Sequence, residues 1–167
     1  DLAYASITLL NQKKVKKILI LDLDVHQGDG TASICENIDN IFTCSIHCKN
    51  NFPFDKKNSN LDVPIDDEVN DVKYINILTK TLDQIESNFT PDIVFYDAGV
   101  DVHSNDDLGN LNLTDDGIKK RDEIVCEYFK EKKIPLCTVI GGGYSKNRQE
   151  LASRHFSIFE TVSKTYL

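Results

Sequence analysis

Four short runs of Ile, Leu, Val and Phe restrict the fold of this sequence more than any other feature. Each run is apolar at almost every position, whereas a strand with one face in water alternates apolar and polar residues. Near-continuous apolar strands are typical of a parallel sheet that is covered on both faces. The runs are KILILDLDV (residues 17–25), IFTCSIH (41–47), DIVFYDAGV (92–100) and PLCTVIGGG (135–143).

Helical periodicity lies between and around the later runs. Apolar residues recur at steps of three and four, and Pro91 ends one such pattern before the third run. Alternation of strands and helices predicts an α/β fold with right-handed crossovers. The predicted helices cover residues 1–14, 72–89, a segment that begins at Thr114, and 145–166. Residues expected to face the sheet include Val72, Leu78, Leu82, Ile118, Val125, Phe129, Ile158 and Phe159.

Length and charge exclude several classes of protein. The chain has 167 residues and a mass of 18.9 kDa, which suits one domain. A net charge of -8 and a pI of 4.9 argue against direct nucleic-acid binding, which needs clustered Lys and Arg. No apolar run approaches the roughly 20 residues of a membrane span, so we expect a soluble protein. Five cysteines without a CxxC pair predict reduced thiols, and hence a cytoplasmic protein, or a nuclear one in a eukaryote.

The first apolar run ends in an unusual group of acids and a histidine. Asp22, Asp24 and His26 are spaced by two, so a strand would project all three to one side. They fall at the carboxyl end of a strand, where open parallel sheets bind ligands. Solvated acids at a strand end are the alternative, but carboxylates beside an imidazole suit a divalent metal. Gly28 and Gly30 are expected to let the turn approach the site closely.

The third run ends in the same way. Asp97 and Asp101 flank an Ala-Gly turn, again at a carboxyl end. Two Asp and one His from neighbouring strands would supply three protein ligands and leave a position open for water. That arrangement is typical of a catalytic zinc, because a closed structural site needs a fourth ligand.

The fourth run ends in IGGGY. The simplest interpretation is a glycine turn followed by an ordinary Tyr144. Three glycines, however, remove side chains where a substrate could pass, and a phenol can donate a hydrogen bond to a carbonyl oxygen that becomes an oxyanion. After two strand ends of metal-binding type, we favour the catalytic interpretation.

A long polar loop and the remaining histidines complete the candidates. The loop at residues 48–60 carries Phe52 and a second aromatic residue, and such loops often line a binding site. His155 is predicted to lie on the surface or to pack within a helix. His103 is near the expected rim, and His47 ends a strand, but a structural role is expected for both.

Together these motifs resemble the carboxyl-terminal half of a histone deacetylase family protein. The likeness runs over essentially the whole chain, and the NNFPF loop is most similar to the class IV branch and its bacterial relatives. The resemblance implies an arginase-like, three-layer α/β/α fold with a mainly parallel sheet, here truncated on its N-terminal side. It also implies removal of acyl groups from lysine or polyamine amides. The matching motifs are DLDVHQGDGT, FTCSIH, NNFPF, FYDAGVD, DDLGNLNLT and IGGGY.

The resemblance also implies roles for individual residues. Asp24, His26 and Asp101 would be the ligands of one Zn²⁺, and Tyr144 would stabilise the oxyanion. Further implied roles are Asp22 and Asp29 as acids that orient two adjacent histidines, a monovalent-cation site for K⁺ at Asp22, Asp24, His26 and Ser45, and a substrate channel with Phe52 and Gly142 in its wall.

One part of the family pattern is missing. The adjacent histidines that act as general base and acid belong upstream of DLAYA, and no His-His pair occurs here. Because the chain also lacks Met, we expect residues 1–167 to be the carboxyl-terminal part of a single catalytic domain, inactive by itself. The expected substrates are acyl-lysine proteins or acylated polyamines. Two alternatives stay open: an arginase-like hydrolase with two manganese ions, and a binding module that has lost catalysis.

Overall fold

A five-stranded sheet, parallel throughout, forms the centre of the computed structural model, which describes residues 1–167. The strand order is β3-β2-β1-β4-β5, so β1 lies in the middle. Every strand runs in the same direction, and all carboxyl ends therefore meet at one edge. The strands are β1 (Ile18–Asp22), β2 (Ile41–Cys48), β3 (Leu61–Ile65), β4 (Ile93–Asp97) and β5 (Leu136–Val139).

Helices cover both faces of this sheet. In β1, Leu19 and Leu21 join one apolar core, while Ile18 and Ile20 join a smaller one on the opposite side. This explains why the run is apolar at every position. The three-layer α/β/α fold predicted from the sequence is confirmed. The helices of the smaller layer are α1 (Leu2–Asn11) and α2 (Asp29–Cys35), and those of the larger layer are α3 (Asp71–Asn88), α4 (Asp115–Glu131) and α5 (Arg148–Tyr166).

The starts of α3 and α4 are joined by polar contacts. Asn70 caps α3, and Thr114 caps α4 by accepting a hydrogen bond from the Gly117 amide at 3.0 Å. The Asp71 carboxylate accepts hydrogen bonds from the amide and the hydroxyl of Thr114, at 2.9 and 2.7 Å. The predicted start at Thr114 is therefore correct, and it also fixes where α4 lies against α3.

The structure differs from the sequence prediction at several points. The strand β3 was not predicted, because it is a half-buried edge strand that contains Pro64. The seven-residue α2 is too short to show a helical period. Val72 is 72% exposed and Phe159 is 56% exposed, so their predicted inward orientation is wrong. None of the helices has both the length and the apolar character that a membrane crossing requires.

Candidate active site

Two loops at the carboxyl edge of the sheet carry the metal-type side chains. The β1 loop (residues 23–28) and the β4 loop (residues 98–102) follow neighbouring strands, in which Asp22 pairs with Asp97. The amide of Leu23 donates to the Asp97 carbonyl at 3.1 Å, and the amide of Val25 donates to Asp101 Oδ1 at 2.9 Å. The two loops are therefore bonded to each other where the strands end.

Asp24, His26 and Asp101 come together in these loops. His26 Nδ1 lies 3.1 Å from Asp24 Oδ1 and 3.1 Å from Asp101 Oδ2. One ligand atom from each residue lies within 4.8 Å of the others. The strand itself ends at Asp22, so the predicted strand alternation does not place Asp24 and His26. A turn does so, because the carboxylate of Asp24 accepts a hydrogen bond from the His26 amide at 2.8 Å.

The electrostatics of this cluster favour a bound cation. Burial, together with the nearby charge of Asp24, raises the pKa of Asp101 to about 7 and that of Asp97 to about 6. Burial also raises the pKa of Asp22 well above its usual value. Hydrogen bonds to Asp101 and Asp24 raise the pKa of His26 to about 10. Two carboxylates and an imidazole in a negative, largely buried position are a donor set that fits Zn²⁺.

The backbone after β5 approaches this cluster closely. The Gly142 amide donates to Asp24 Oδ2 at 2.7 Å. A Cβ atom at Gly142 would lie 2.0 Å from Asp101 Oδ2 and 2.4 Å from Asp24 Oδ2. Only glycine fits there, so the IGGGY sequence has a steric reason at this position.

Tyr144 lies beside the cluster at the surface. Its ring centroid is 5.9 Å from that of His26, the two rings are nearly perpendicular, and the residue is 46% exposed. Partial burial and the charges of Asp24 and Asp101 raise the pKa of Tyr144. The phenol therefore keeps its proton at neutral pH and is able to donate a hydrogen bond.

Asp106 is a residue of this region that the sequence prediction missed. Its Oδ2 accepts a hydrogen bond from the Tyr144 amide at 2.7 Å, and its Oδ1 accepts from the amides of Leu108 and Gly109, each at 2.9 Å. The Tyr144 carbonyl in turn accepts from the Asp107 amide at 2.8 Å. An Asp followed three residues later by Gly is a turn signal, and it could have indicated the local hydrogen bonds from Leu108 and Gly109, though not the one from Tyr144.

The loop with Phe52 is attached to the same segment. Asn51 is buried, and its side chain donates to the Leu108 carbonyl at 2.6 Å and accepts from the Asn110 amide at 3.0 Å. Phe52, the next residue, is 61% exposed. Asn51 therefore holds an exposed aromatic ring beside the turn that Asp106 organises.

The residues with other predicted roles lie nearby. Asp22 and Ser45 are buried and are direct neighbours on β1 and β2. Asp29 is the half-buried first residue of α2. A Cβ at Gly28 would lie 2.2 Å from Asp22 Oδ2, as the close approach requires, but nothing lies within 4 Å of one at Gly30. The close approach expected at Gly30 is therefore wrong.

The histidines outside the cluster make contacts typical of structural residues. His47 is buried, and its Nδ1 lies 3.0 Å from the Ser45 hydroxyl. His103 is also buried, accepts a hydrogen bond from the Asn105 amide at 3.0 Å and lies 3.3 Å from Asp115. His155 is half-buried in α5.

Comparison with known proteins shows the family of this chain. The family model described as histone deacetylase domain matches residues 1–159. The chain belongs to the histone deacetylase family. Members of this family are hydrolases and are generally metal-dependent.

Individual relatives show how much of the family domain this chain represents. An uncharacterized protein of Picosynechococcus is 42% identical over 166 residues, which are 99% of this chain and 55% of that protein. Histone deacetylase 2 of Arabidopsis thaliana is 32% identical over 140 residues, covering 80% of this chain and 35% of that protein. The chain therefore spans about half the length of these relatives or less.

A solved structure supports the fold. The acetylpolyamine aminohydrolase from Burkholderia pseudomallei superimposes with a TM-score of 0.80 and 21% identity, over 96% of this chain and 48% of that one. At this identity the likeness shows a common fold. The α/β architecture of this chain is thus shared with that solved structure.

Proposed function

We propose that the protein containing this chain is a zinc-dependent deacylase that removes acetyl or longer acyl groups from lysine side chains. Residues 1–167 would form the carboxyl-terminal part of its single catalytic domain. The observation that carries this proposal is the meeting of Asp24, His26 and Asp101 beside Tyr144, at the carboxyl edge of the sheet. Family membership supports the reaction class.

Each group at this edge has a chemical task in the proposed reaction. Asp24, His26 and Asp101 would hold Zn²⁺, which when bound polarises the amide carbonyl and lowers the pKa of water. Tyr144 donates a hydrogen bond to the carbonyl oxygen as negative charge develops there. Its raised pKa keeps the phenol in the donating form.

The supporting residues complete this proposal. Phe52 and Gly142 would line the channel that takes the acyl-lysine, and the apolar wall excludes water from the amide. Asp22 and Asp29 would orient the two histidines that act as base and acid, which we expect in the protein upstream of Asp1. By itself the 167-residue chain would then be inactive.

A monovalent cation is proposed next to the zinc position. Asp22, Asp24, His26 and Ser45 would contribute to a K⁺ site, with backbone carbonyls among the donors. Burial of Asp22 and Ser45 side by side on β1 and β2 supports it, because an uncompensated buried carboxylate is costly. The cation would neutralise part of this charge.

Acylated polyamines are a second candidate substrate class. The net charge of -8 favours cationic over anionic carriers, and both lysine peptides and polyamines are cationic. The fold shared with an acetylpolyamine aminohydrolase is compatible with this class.

The test is an assay of the complete protein after its metal content has been measured. We expect one zinc per chain and hydrolysis of an acetyl-lysine peptide, an acyl-lysine peptide with a longer chain, or an acetylated diamine. Two manganese ions per chain would favour the arginase-like alternative. Bound zinc without hydrolysis of any of these substrates would favour a binding module.

A further inference from the structure

Arg121 is an unusual residue of the core. It lies on α4 and is 0% exposed, and its side chain is the largest of the fully buried ones. Arginine is almost never fully buried unless it is paired. Here Nε donates to Asp122 Oδ1 at 2.9 Å, and Nη2 lies 2.9 Å from the same oxygen. The Tyr96 hydroxyl donates to that oxygen too, at 2.5 Å.

The far end of the guanidinium reaches the two loops that carry the metal-type residues. Nη1 donates to the Gly99 carbonyl at 2.6 Å and lies 3.3 Å from the Leu23 carbonyl. Leu23 is the residue directly before Asp24, and Gly99 lies two residues before Asp101. One nitrogen atom therefore contacts the backbone of both the β1 loop and the β4 loop.

This contact restricts how the loops move relative to each other. The guanidinium is planar and rigid, so Asp122 on one side and the two carbonyls on the other fix its position. The loops are also closely packed, since a Cβ at Gly99 would lie 2.8 Å from the Asp24 Cα. A shift of either carbonyl would change the distance between the Asp24 and Asp101 carboxylates.

We propose that Arg121 is a positioning residue that holds Asp24 and Asp101 at the separation needed for metal binding. The proposal rests on the proposed function only in assigning a metal to these ligands. It predicts that metal affinity depends on a side chain that is not itself a ligand. Removal of groups that orient metal ligands typically weakens affinity by about 10- to 100-fold.

The test uses the complete protein, with Co²⁺ and Zn²⁺ as probes. Arg121→Met alone would leave Asp122 charged and buried without its partner, and the protein could fail to fold. The double variant Arg121→Met/Asp122→Asn removes both charges and keeps an acceptor for the Tyr96 hydroxyl. Co²⁺ affinity and the visible absorption of bound Co²⁺ are measured, because both report on ligand geometry without any assay of activity.

Arg154→Met is the matched control. Arg154 is also buried and also paired, with Asp115 at 3.2 Å and Glu150 at 3.5 Å, but it lies on α5. A loss of stability that follows from removal of any buried arginine would be similar in both variants. Arg121→Lys provides a second comparison, because lysine keeps the charge but lacks the rigid fork.

We expect the double variant to bind Co²⁺ about 10- to 100-fold more weakly with an altered spectrum. Arg154→Met should bind like the wild type, and Arg121→Lys should lie between the two. Wild-type Co²⁺ affinity and spectrum in the double variant would overturn the positioning role of Arg121 but would leave the proposed function standing. Wild-type Co²⁺ affinity and spectrum in Arg121→Lys would also overturn the positioning role, since a positive charge at this position would then be sufficient. Absence of metal binding by the wild type would overturn this proposal and the proposed function together.

Discussion

The candidate site has two halves that are held in different ways. The proposed metal cluster lies in loops that directly follow β1 and the adjacent strand β4, and Asp101 is 0% exposed. The rim proposed for the substrate consists of Phe52 and Tyr144, which are 61% and 46% exposed. Backbone donors fix the carboxylates of the cluster, whereas the rim depends on Asn51 and Asp106.

This difference indicates how function is divided between the two halves. The cluster is held rigidly because its short loops are bonded directly to the ends of the strands, and metal coordination requires such a fixed geometry. The rim is built on surface loops, where changes in sequence cost less stability. We therefore expect changes in the cluster to remove the reaction, and changes in the rim to alter its rate or its substrate affinity.

The largest effect is expected from Asp101→Ala in the complete protein. The variant loses a ligand and the acceptor for the Val25 amide, so bound zinc and turnover should disappear together. Metal analysis and an acetyl-lysine peptide assay measure both. Asp107→Ala, an exposed position nearby, is the control and should keep zinc and activity. Retention of zinc by Asp101→Ala would show that another group is the third ligand.

The second prediction separates the cluster from the proton-transfer groups. The 167-residue chain should hydrolyse acetyl-lysine peptide about 10² to 10⁴ times more slowly than the complete protein. The reason is that no positioned base accepts the proton from water. Both proteins are assayed with zinc supplied. Equal turnover would point to a base within residues 1–167, and His47 and His103 would be tested first.

The third prediction concerns the rate contribution of the rim. Tyr144→Phe should lower kcat by about 10²-fold or more and leave zinc bound, because it removes one donor to the developing oxyanion. Tyr4→Phe, at a 77% exposed position on α1, is the control. An unchanged kcat for Tyr144→Phe would leave this residue with a packing role only.

The smallest effect is expected from Phe52→Ala. Loss of one apolar wall should raise KM for an acyl-lysine peptide by about tenfold, with a smaller change in kcat. Phe54→Ala is the matched control, since Phe54 is 89% exposed on the same loop. If Phe54→Ala had the larger effect on KM, the channel wall would have been assigned to the wrong ring.

The sequence predicts those parts of the fold that have a strong local pattern. Buried strands and Thr114 as a helix start were read correctly, because apolar runs and capping residues act over a few positions. The orientation of Val72 and Phe159 was predicted wrongly, since helical periodicity does not reveal which positions lack a neighbouring layer. The short β3 was missed for a similar reason, because an edge strand with Pro64 has little apolar signal.

The candidate site also has residues that the sequence predicts and residues that it does not. Asp24, His26 and Asp101 were identified from their place after strands and from the family motif, and the structure brings them together. Arg121 and Asp106 were not identified, because their roles depend on partners up to 98 positions away. Such contacts exist only after the chain has folded.

The carboxylate of Asp71 makes two helices depend on each other for their initiation. It accepts two hydrogen bonds from Thr114, and a Cβ at Gly117 would lie 1.9 Å from its Oδ1, so the first turn of α4 forms around it. The amino ends of α3 and α4 should therefore open to solvent in one concerted event, and deuterium exchange of their amide protons should give the same opening free energy. Helix ends usually fray separately, but here a hydrogen bond joins two ends that are 43 positions apart, and we expect them to act as one cooperative unit.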